Sequence, residues 1–174
     1  GTWSIELPDS LSPICRKGHF CTYSSALQKI FIGYGVESSQ QPKFLNDVWE
    51  FSIVSRKWNH INVKYSTNSD NELLKKITSR KNSSATISEK DMKIYIFGGS
   101  DENGELLTNF HSIDLNTGEI TLIIPTNSPN LQNYNTEFEL YSNNSPQARK
   151  GAIIQYYNNQ IYMWGGLAAG GNIL

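Results

Sequence analysis

Three arginines recur along the chain in a shared local context, and their side chains are those best suited to binding chemistry. Arg16, Arg80 and Arg149 are each followed by a lysine and then by a small or polar residue. A guanidinium group can hold a carboxylate or a phosphate through two parallel hydrogen bonds. The three groups could therefore bind an anionic group of a partner, or they could be framework residues that tie neighbouring structural units together. The residue types alone leave both roles open.

No other set of residues has the spacing of a catalytic or metal site. His19 lies near Cys15 and Cys21, but this spacing matches no common zinc site, so a packed histidine is the better interpretation. Residues 165–171 are rich in glycine, but they lack the lysine and the following helix of a phosphate-binding loop. The sequence has no Ser-His-Asp or Cys-His arrangement that a repeat would bring together. We therefore expect no catalytic residue, no metal and no cofactor within this chain.

The three arginines belong to an internal sequence repeat. Each arginine is followed, about 12–13 residues later, by a β-rich run that ends in glycine, at 29–35, 93–99 and 161–166. Arg16 and Arg80 are 64 residues apart, and segments 46–51 and 108–113 align at an offset of 62. Because independent segments agree on one register, the chain is predicted to be built from repeated units.

The repeated residues resemble those of the kelch repeat, and the resemblance covers essentially the whole chain. The residues that carry it are Trp3, Pro13, Arg16, His19, Gly35, Asn46, Asp47, Val48, Trp49, Trp58, Gly98, Gly99, Gly165 and Gly166. Some positions depart from the pattern: the first glycine pair reads Tyr34-Gly35, the second arginine lacks a preceding proline, and Ile120 replaces the second closing tryptophan. The resemblance implies four-stranded antiparallel blades arranged around a central channel.

The expected fold class is all-β, a kelch-type β-propeller fragment that holds about two and a half blades of a larger ring. Short strands rich in Ile, Tyr, Phe, Trp and Thr, separated by Gly, Asn and Ser, favour an all-β fold on their own. We assign the last strand of a preceding blade to 1–7, complete blades to 13–62 and 80–124, and the first half of a further blade to 146–174. The remaining blades would come from sequence outside this chain or from another chain. Trp58 is expected to be buried, with Ile120 filling the matching site less fully.

Each repeat unit here is longer than an ordinary kelch unit of about 50 residues, and the extra residues lie in four long segments. They are residues 36–45, 63–79, 100–109 and 125–147. In an up-and-down blade these segments lie at one end and the short turns at the other, so we predict that the long-loop end binds a partner. The candidate binding residues at this end are Arg16, Arg80, Ser100, Asp101, Glu102 and Arg149. Composition predicts mobility for 63–79 and 125–147. Both could be partner-docking or modifiable segments, or low-complexity sequence without a function.

Charge and composition argue against several classes of function. The formal net charge is −1, so no overall field attracts nucleic acid or an anionic membrane. No run approaches the roughly 20 apolar residues that a membrane span needs. Two cysteines provide no disulfide framework, and the first residues have no signal-peptide pattern. We expect a cytoplasmic protein that binds neither nucleic acid nor membrane.

The expected function is a protein–protein interaction module, either a scaffold or a substrate receptor, that binds a partner protein through the long loops. This follows from the resemblance, because proteins with kelch repeats mostly act in this way. The alternative is a non-catalytic propeller appended to an enzyme such as a phosphatase or a methyltransferase. In both cases we expect no catalysis within these residues. The partner's identity, the total number of blades, the flanking domains and the oligomeric state are left open by the sequence.

Overall fold

The computed structural model describes residues 11–65, 79–123 and 146–174. The expected strand at 1–7, with Trp3, lies outside these ranges. So do most of the two long segments 63–79 and 125–147, for which the composition predicts mobility. Within the described ranges the chain forms β-strands and no α-helix. No helix that could cross a bilayer is therefore found in these ranges.

The first sheet has four antiparallel strands in chain order. Its strands are β2 (Phe20–Ser24), β3 (Lys29–Gly33), β5 (Val48–Ser52) and β6 (Lys57–Ile61). Two short strands, β1 (Arg16–Lys17) and β4 (Val36–Glu37), pair with each other beside it. Ser24, Lys29 and Ser52 lie in one row across the sheet. The short turns 25–28 and 53–56 therefore lie at one end, and the β3–β5 loop lies at the other.

The second sheet repeats this arrangement and adds one strand at its outer edge. It contains β8 (Ser84–Ser88), β9 (Lys93–Phe97), β10 (Phe110–Asp114) and β11 (Glu119–Ile123), all antiparallel. β7 (Lys64–Tyr65) follows the first sheet in the chain and pairs parallel with β11. The third unit forms a hairpin of β12 (Ile153–Tyr157) and β13 (Gln160–Trp164), followed by a short 3-10 turn at Ala169–Gly171.

The main hydrophobic core lies between the first and second sheets. Its buried members are Phe20, Phe31, Tyr34, Val48, Ile94, Ile96, Ile113 and Ile120. The first four belong to the first unit and the last four to the second, so one face of each sheet is buried against the other. The first strands of consecutive sheets also lie side by side, because β8 is adjacent to both β2 and β12. Each sheet therefore packs against the next one in the sequence.

The expected burial of Trp58 is wrong. Trp58 is half-buried and packs against Phe51, with ring centroids 5.1 Å apart, whereas the aligned residue Ile120 is fully buried. Both residues lie on the same face of their respective sheets, since Phe51 pairs with Trp58 and Ile113 with Ile120. In the second sheet the first sheet covers that face. Within the described residues no other sheet covers the equivalent face of the first.

The all-β prediction is confirmed, and the three runs at 29–35, 93–99 and 161–166 each contain a strand. The antiparallel pairing of four consecutive strands is also present in the first two units. The described residues form a series of adjacent sheets and do not include a closed ring.

Candidate functional site

Arg16 is held inside the first unit by a bidentate ion pair. Its two terminal nitrogens donate to the two carboxylate oxygens of Asp47, at 2.6 and 2.7 Å, and one of them also donates to the backbone oxygen of Tyr34 at 3.2 Å. Only 3% of the Arg16 side chain is exposed. Burial alone would raise the pKa of the Asp47 carboxyl, but hydrogen bonds from Arg16 and from Trp49 outweigh it and leave this pKa below its usual value.

Arg80 occupies the equivalent place in the second unit and is wholly buried. Its guanidinium donates to the backbone oxygen of Gly98 at 2.8 Å and to the side-chain oxygen of Asn109. Asn109 aligns with Asp47 at the offset of 62 that the sequence predicts. The second unit therefore keeps the contact but replaces the acidic acceptor with a neutral amide.

Arg149 repeats one of these contacts in the third unit. It donates to the backbone oxygens of Gly165, at 3.1 Å, and Gln147, at 3.0 Å, and its side chain is half-buried. Gly165 aligns with Gly98 and Tyr34, so each arginine binds the carbonyl that follows the second strand of its own unit. This repeated contact is the one expected of a framework residue.

The other predicted binding residues differ in how much they present to solvent. Ser100 is buried, with 1% of its surface exposed. Asp101 is half-buried and shapes its own loop, because its carboxylate accepts hydrogen bonds from the backbone N–H groups of Asn103 and Glu105. Glu102 is exposed. The predicted set therefore combines interior residues, two half-buried side chains and one freely accessible carboxylate.

The glycine pairs connect consecutive units through the backbone. Gly35 N–H donates to the carbonyl of Arg80 at 2.8 Å, and Gly99 N–H donates to the carbonyl of Arg149 at 2.9 Å. Both glycines have positive φ, at +88° and +94°. Within the second unit, a Cβ on Gly99 would lie 2.7 Å from the backbone oxygen of Lys81, so this position has no room for a side chain. These bonds link the arginine of each unit to the unit before it, a connection that the sequence register did not reveal.

A buried polar pair also joins the first two sheets, and sequence reasoning missed it. The Tyr34 hydroxyl and His111 Nε2 are 2.8 Å apart, and both residues are fully buried. Burial lowers the pKa of His111 well below its usual value, and nearby Arg80 lowers it further. Burial likewise raises the pKa of Tyr34. The sequence did indicate this pair in one way, because Tyr34 stands where the repeat pattern has glycine. A tyrosine buried at that position needs a hydrogen-bond partner for its hydroxyl.

The long-loop end carries a cleft between the second and third units. Its volume is about 770 Å³. Its lining residues are Gly104, Glu105, Leu106, Leu107, Thr108, Ala148, Lys150, Leu167, Ala168, Ala169, Gly170 and Gly171. Apolar and small residues predominate, with Lys150 and Glu105 as the charged members. Two loop segments, the β9–β10 loop and the residues after β13, thus enclose a concave surface.

The residues considered for a metal site are His19, Cys15 and Cys21. Cys15 and Cys21 are free and exposed. His19 is exposed as well, and partial loss of solvent around its ring lowers its pKa, with a further contribution from the charge of Arg16. Among the described residues, no three potential metal ligands of the His, Cys, Asp and Glu types cluster together. No protein-family model matches the chain, and no curated protein matches it significantly.

Proposed function

We propose that this chain is part of a kelch-type β-propeller that acts as a protein–protein interaction module. The repeated register of Arg, Gly and β-strands supports the architecture. So does the packing of each sheet on the next, together with the repeated bond from Gly35 and Gly99 to the arginine carbonyl of the following unit. In this proposal the further blades come from sequence outside this chain or from another chain.

The cleft of about 770 Å³ at the long-loop end is the observation that carries the binding function. Leu106, Leu107 and Leu167 provide apolar surface for side chains of a partner, and Lys150 provides one cationic donor at the edge. The cleft is formed by loops on a rigid sheet framework, which is where binding residues concentrate in proteins. We therefore place the partner protein in this cleft and assign Arg16 and Arg80 to the framework that supports it.

The test compares two exposed positions at opposite ends of the sheets. Ala169→Arg would fill the cleft, whereas Val54→Arg adds the same side chain to the short turn 53–56, where Val54 is 74% exposed. Affinity capture with the full-length protein should recover the same partners with the wild type and Val54→Arg, and lose them with Ala169→Arg. Equal melting temperatures would show that the loss is local. A partner lost with Val54→Arg but kept with Ala169→Arg would refute the proposed binding face.

The proposal includes a cytoplasmic location. Cys15 and Cys21 are both exposed and unpaired, as is usual for proteins in a reducing compartment. Fluorescence microscopy of the tagged full-length protein tests this location directly, and an exclusively secreted protein would contradict it.

A further inference from the structure

A second cleft lies at the short-turn end, where the first strands of all three units come together. Its volume is about 380 Å³. Its lining includes Tyr23, Ile87, Glu89, Lys90, Tyr156 and Tyr157. The lining residues come from β2, β8, β12 and the turns that follow them. The cleft therefore depends on the side-by-side arrangement of the three first strands, and it lies at the opposite end of the sheets from the long loops.

Glu89 supplies a fixed carboxylate to this cleft. Its Oε1 atom accepts hydrogen bonds from the hydroxyls of Ser24, at 2.8 Å, and Ser25, at 3.2 Å, and from the backbone N–H of Ala26, at 2.9 Å. The Ala26 N–H and the two hydroxyls lower the pKa of Glu89, so the group is ionised at neutral pH. No hydrogen bond to the second oxygen, Oε2, occurs within the described residues. One oxygen thus fixes the orientation, and the other is available to a ligand.

Two exposed tyrosines share the cleft with this carboxylate. Tyr23, on β2, is 51% exposed, and Tyr157, at the end of β12, is 63% exposed. The third aromatic residue, Tyr156, is held in place by stacking on Tyr95, with centroids 5.9 Å apart, and by a hydrogen bond from its hydroxyl to Asp91. Aromatic faces beside a carboxylate attract cations, because the ring quadrupole and the negative charge act together.

Lys90 also lines the cleft and carries a charge of the opposite sign. Its ammonium group donates to the side-chain oxygen of Asn159 at 3.2 Å. Lys90 is therefore directed toward the turn of the third unit. Asp91 is already bound by the hydroxyls of Ser88 and Tyr156, so Glu89 is the carboxylate that the cleft offers to a bound cation.

We propose that this cleft binds the side chain of a lysine from a peptide segment of a partner protein. The ammonium group would bind Oε2 of Glu89, and the aliphatic part would lie against Tyr23 and Tyr157. Long cationic side chains combine an apolar stem with a charged end, and this cleft offers surfaces for both. The site is separate from the long-loop cleft and does not depend on that cleft having a partner.

The test is a titration of the protein with short blocked peptides that differ at one position. The probe is acetyl-Gly-Lys-Gly-amide, and the comparison peptide has norleucine in place of lysine. Tyrosine ring signals in NMR spectra should shift with the lysine peptide, and the affinity should fall as salt is added. Glu89→Gln keeps an oxygen that can accept the bonds from Ser24 and Ala26 but removes the charge, and it should weaken binding about fivefold. Tyr157→Ala should weaken it about threefold for the loss of one ring.

Two control variants locate the binding in this cleft. Glu102→Gln removes an exposed carboxylate at the long-loop end and should leave the titration unchanged, as should Ala169→Arg in the long-loop cleft. Equal binding of the lysine and norleucine peptides would overturn the proposal. So would equal losses with Glu89→Gln and Glu102→Gln, or tighter binding of a glutamate peptide, which would indicate that Lys90 selects the ligand. Because Ala169→Arg does not touch this cleft, failure here is distinguishable from failure of the long-loop proposal.

Discussion

At the scale of single residues, the equivalent arginines do the same structural task with different acceptors. Arg16 binds a carboxylate, Arg80 binds an amide, and Arg149 binds backbone carbonyls. The Arg16–Asp47 pair is shielded from solvent on the arginine side, with 3% of that side chain exposed. Removing one partner of a shielded pair costs more than removing one partner of an exposed pair, because the remaining charge is left without compensation.

We expect Arg16→Lys to lower the free energy of unfolding by about 2 kcal/mol, because a lysine cannot form the two parallel bonds to Asp47. Arg149→Lys is the matched control, since Arg149 is half-buried and donates only to carbonyls. It should cost less than about 1 kcal/mol. Urea denaturation of the two variants and the wild type measures both values. Equal losses would show that the ion pair adds nothing to the framework role.

The buried pair of Tyr34 and His111 makes stability depend on pH. The pKa of His111 is lowered well below 6.5 in the folded state, so below pH 6.5 the unfolded chain takes up a proton that the folded protein excludes. Stability is therefore complete above pH 6.5 and falls as the pH drops from there toward the folded pKa. The slope approaches about 1.4 kcal/mol per pH unit for one such group.

His111→Gln should remove this slope, because glutamine can still bond to the Tyr34 hydroxyl but does not titrate. The measurement is the difference in unfolding free energy between wild type and variant at several pH values between about 5 and 7.5, the range that brackets an ordinary histidine pKa. His19, whose pKa is also lowered, is present in both proteins and cancels in this difference. A difference that is constant across the range would mean that His111 is not the group responsible.

At the scale of elements, the sequence was sufficient for the strands and their order but not for burial. Strand positions follow from local runs and from the repeat, so the segments around Phe31 and Ile94 could be placed. Whether a face is covered depends on the neighbouring sheet, which explains the reversed burial of Trp58 and Ile120. The parallel pairing of β7 with β11 was not predicted, because a two-residue strand carries almost no periodic signal.

The candidate site was predictable only in part for the same reason. The arginines were identified by their repeated context, but their acceptors Asp47 and Asn109 lie about 30 residues away in sequence. The long-loop end was predicted from loop lengths, whereas the lining of its cleft depends on how two loops meet. Glu89 had no signal at all, since its partners belong to another unit.

We expect Gly99→Ala to destabilise the protein far more than Gly104→Ala. Both glycines have positive φ, at +94° and +83°, so each substitution costs about 1 kcal/mol for the backbone alone. A Cβ at Gly99 would also meet the Lys81 oxygen at 2.7 Å, whereas a Cβ at Gly104 meets nothing within 4 Å. The contact should add about 1–3 kcal/mol. Thermal unfolding of both variants tests this, and equal losses would contradict the close approach of Gly99 to the Lys81 backbone.

At the scale of the whole molecule, each of the first two sheets uses the same one of its two faces to pack against the next sheet in the sequence. The face of the first sheet that carries Phe31 packs against the second sheet, in the core formed with Ile94 and Ile113. In the third unit, Ile153 pairs with Trp164 on the face that corresponds to this one. That face is open in the described structure, since Ile153 is 67% exposed and Trp164 is 54% exposed. Tyr162 extends the same surface and stacks on Trp164, with centroids 6.2 Å apart.

In the first two units, the equivalent face is packed against the next sheet. Because this face is apolar and exposed in the third unit, we expect the isolated chain to associate. We expect sedimentation velocity at increasing concentration to show association of the wild type, and the double variant Ile153→Lys, Trp164→Lys to remain monomeric. Val54→Lys is the control, because Val54 is 74% exposed but lies in the short turn 53–56, away from this face. Association that persists in the double variant would place the contact elsewhere. A wild type that stays monomeric would show that this face needs no cover, even though its counterparts in the first two units are buried.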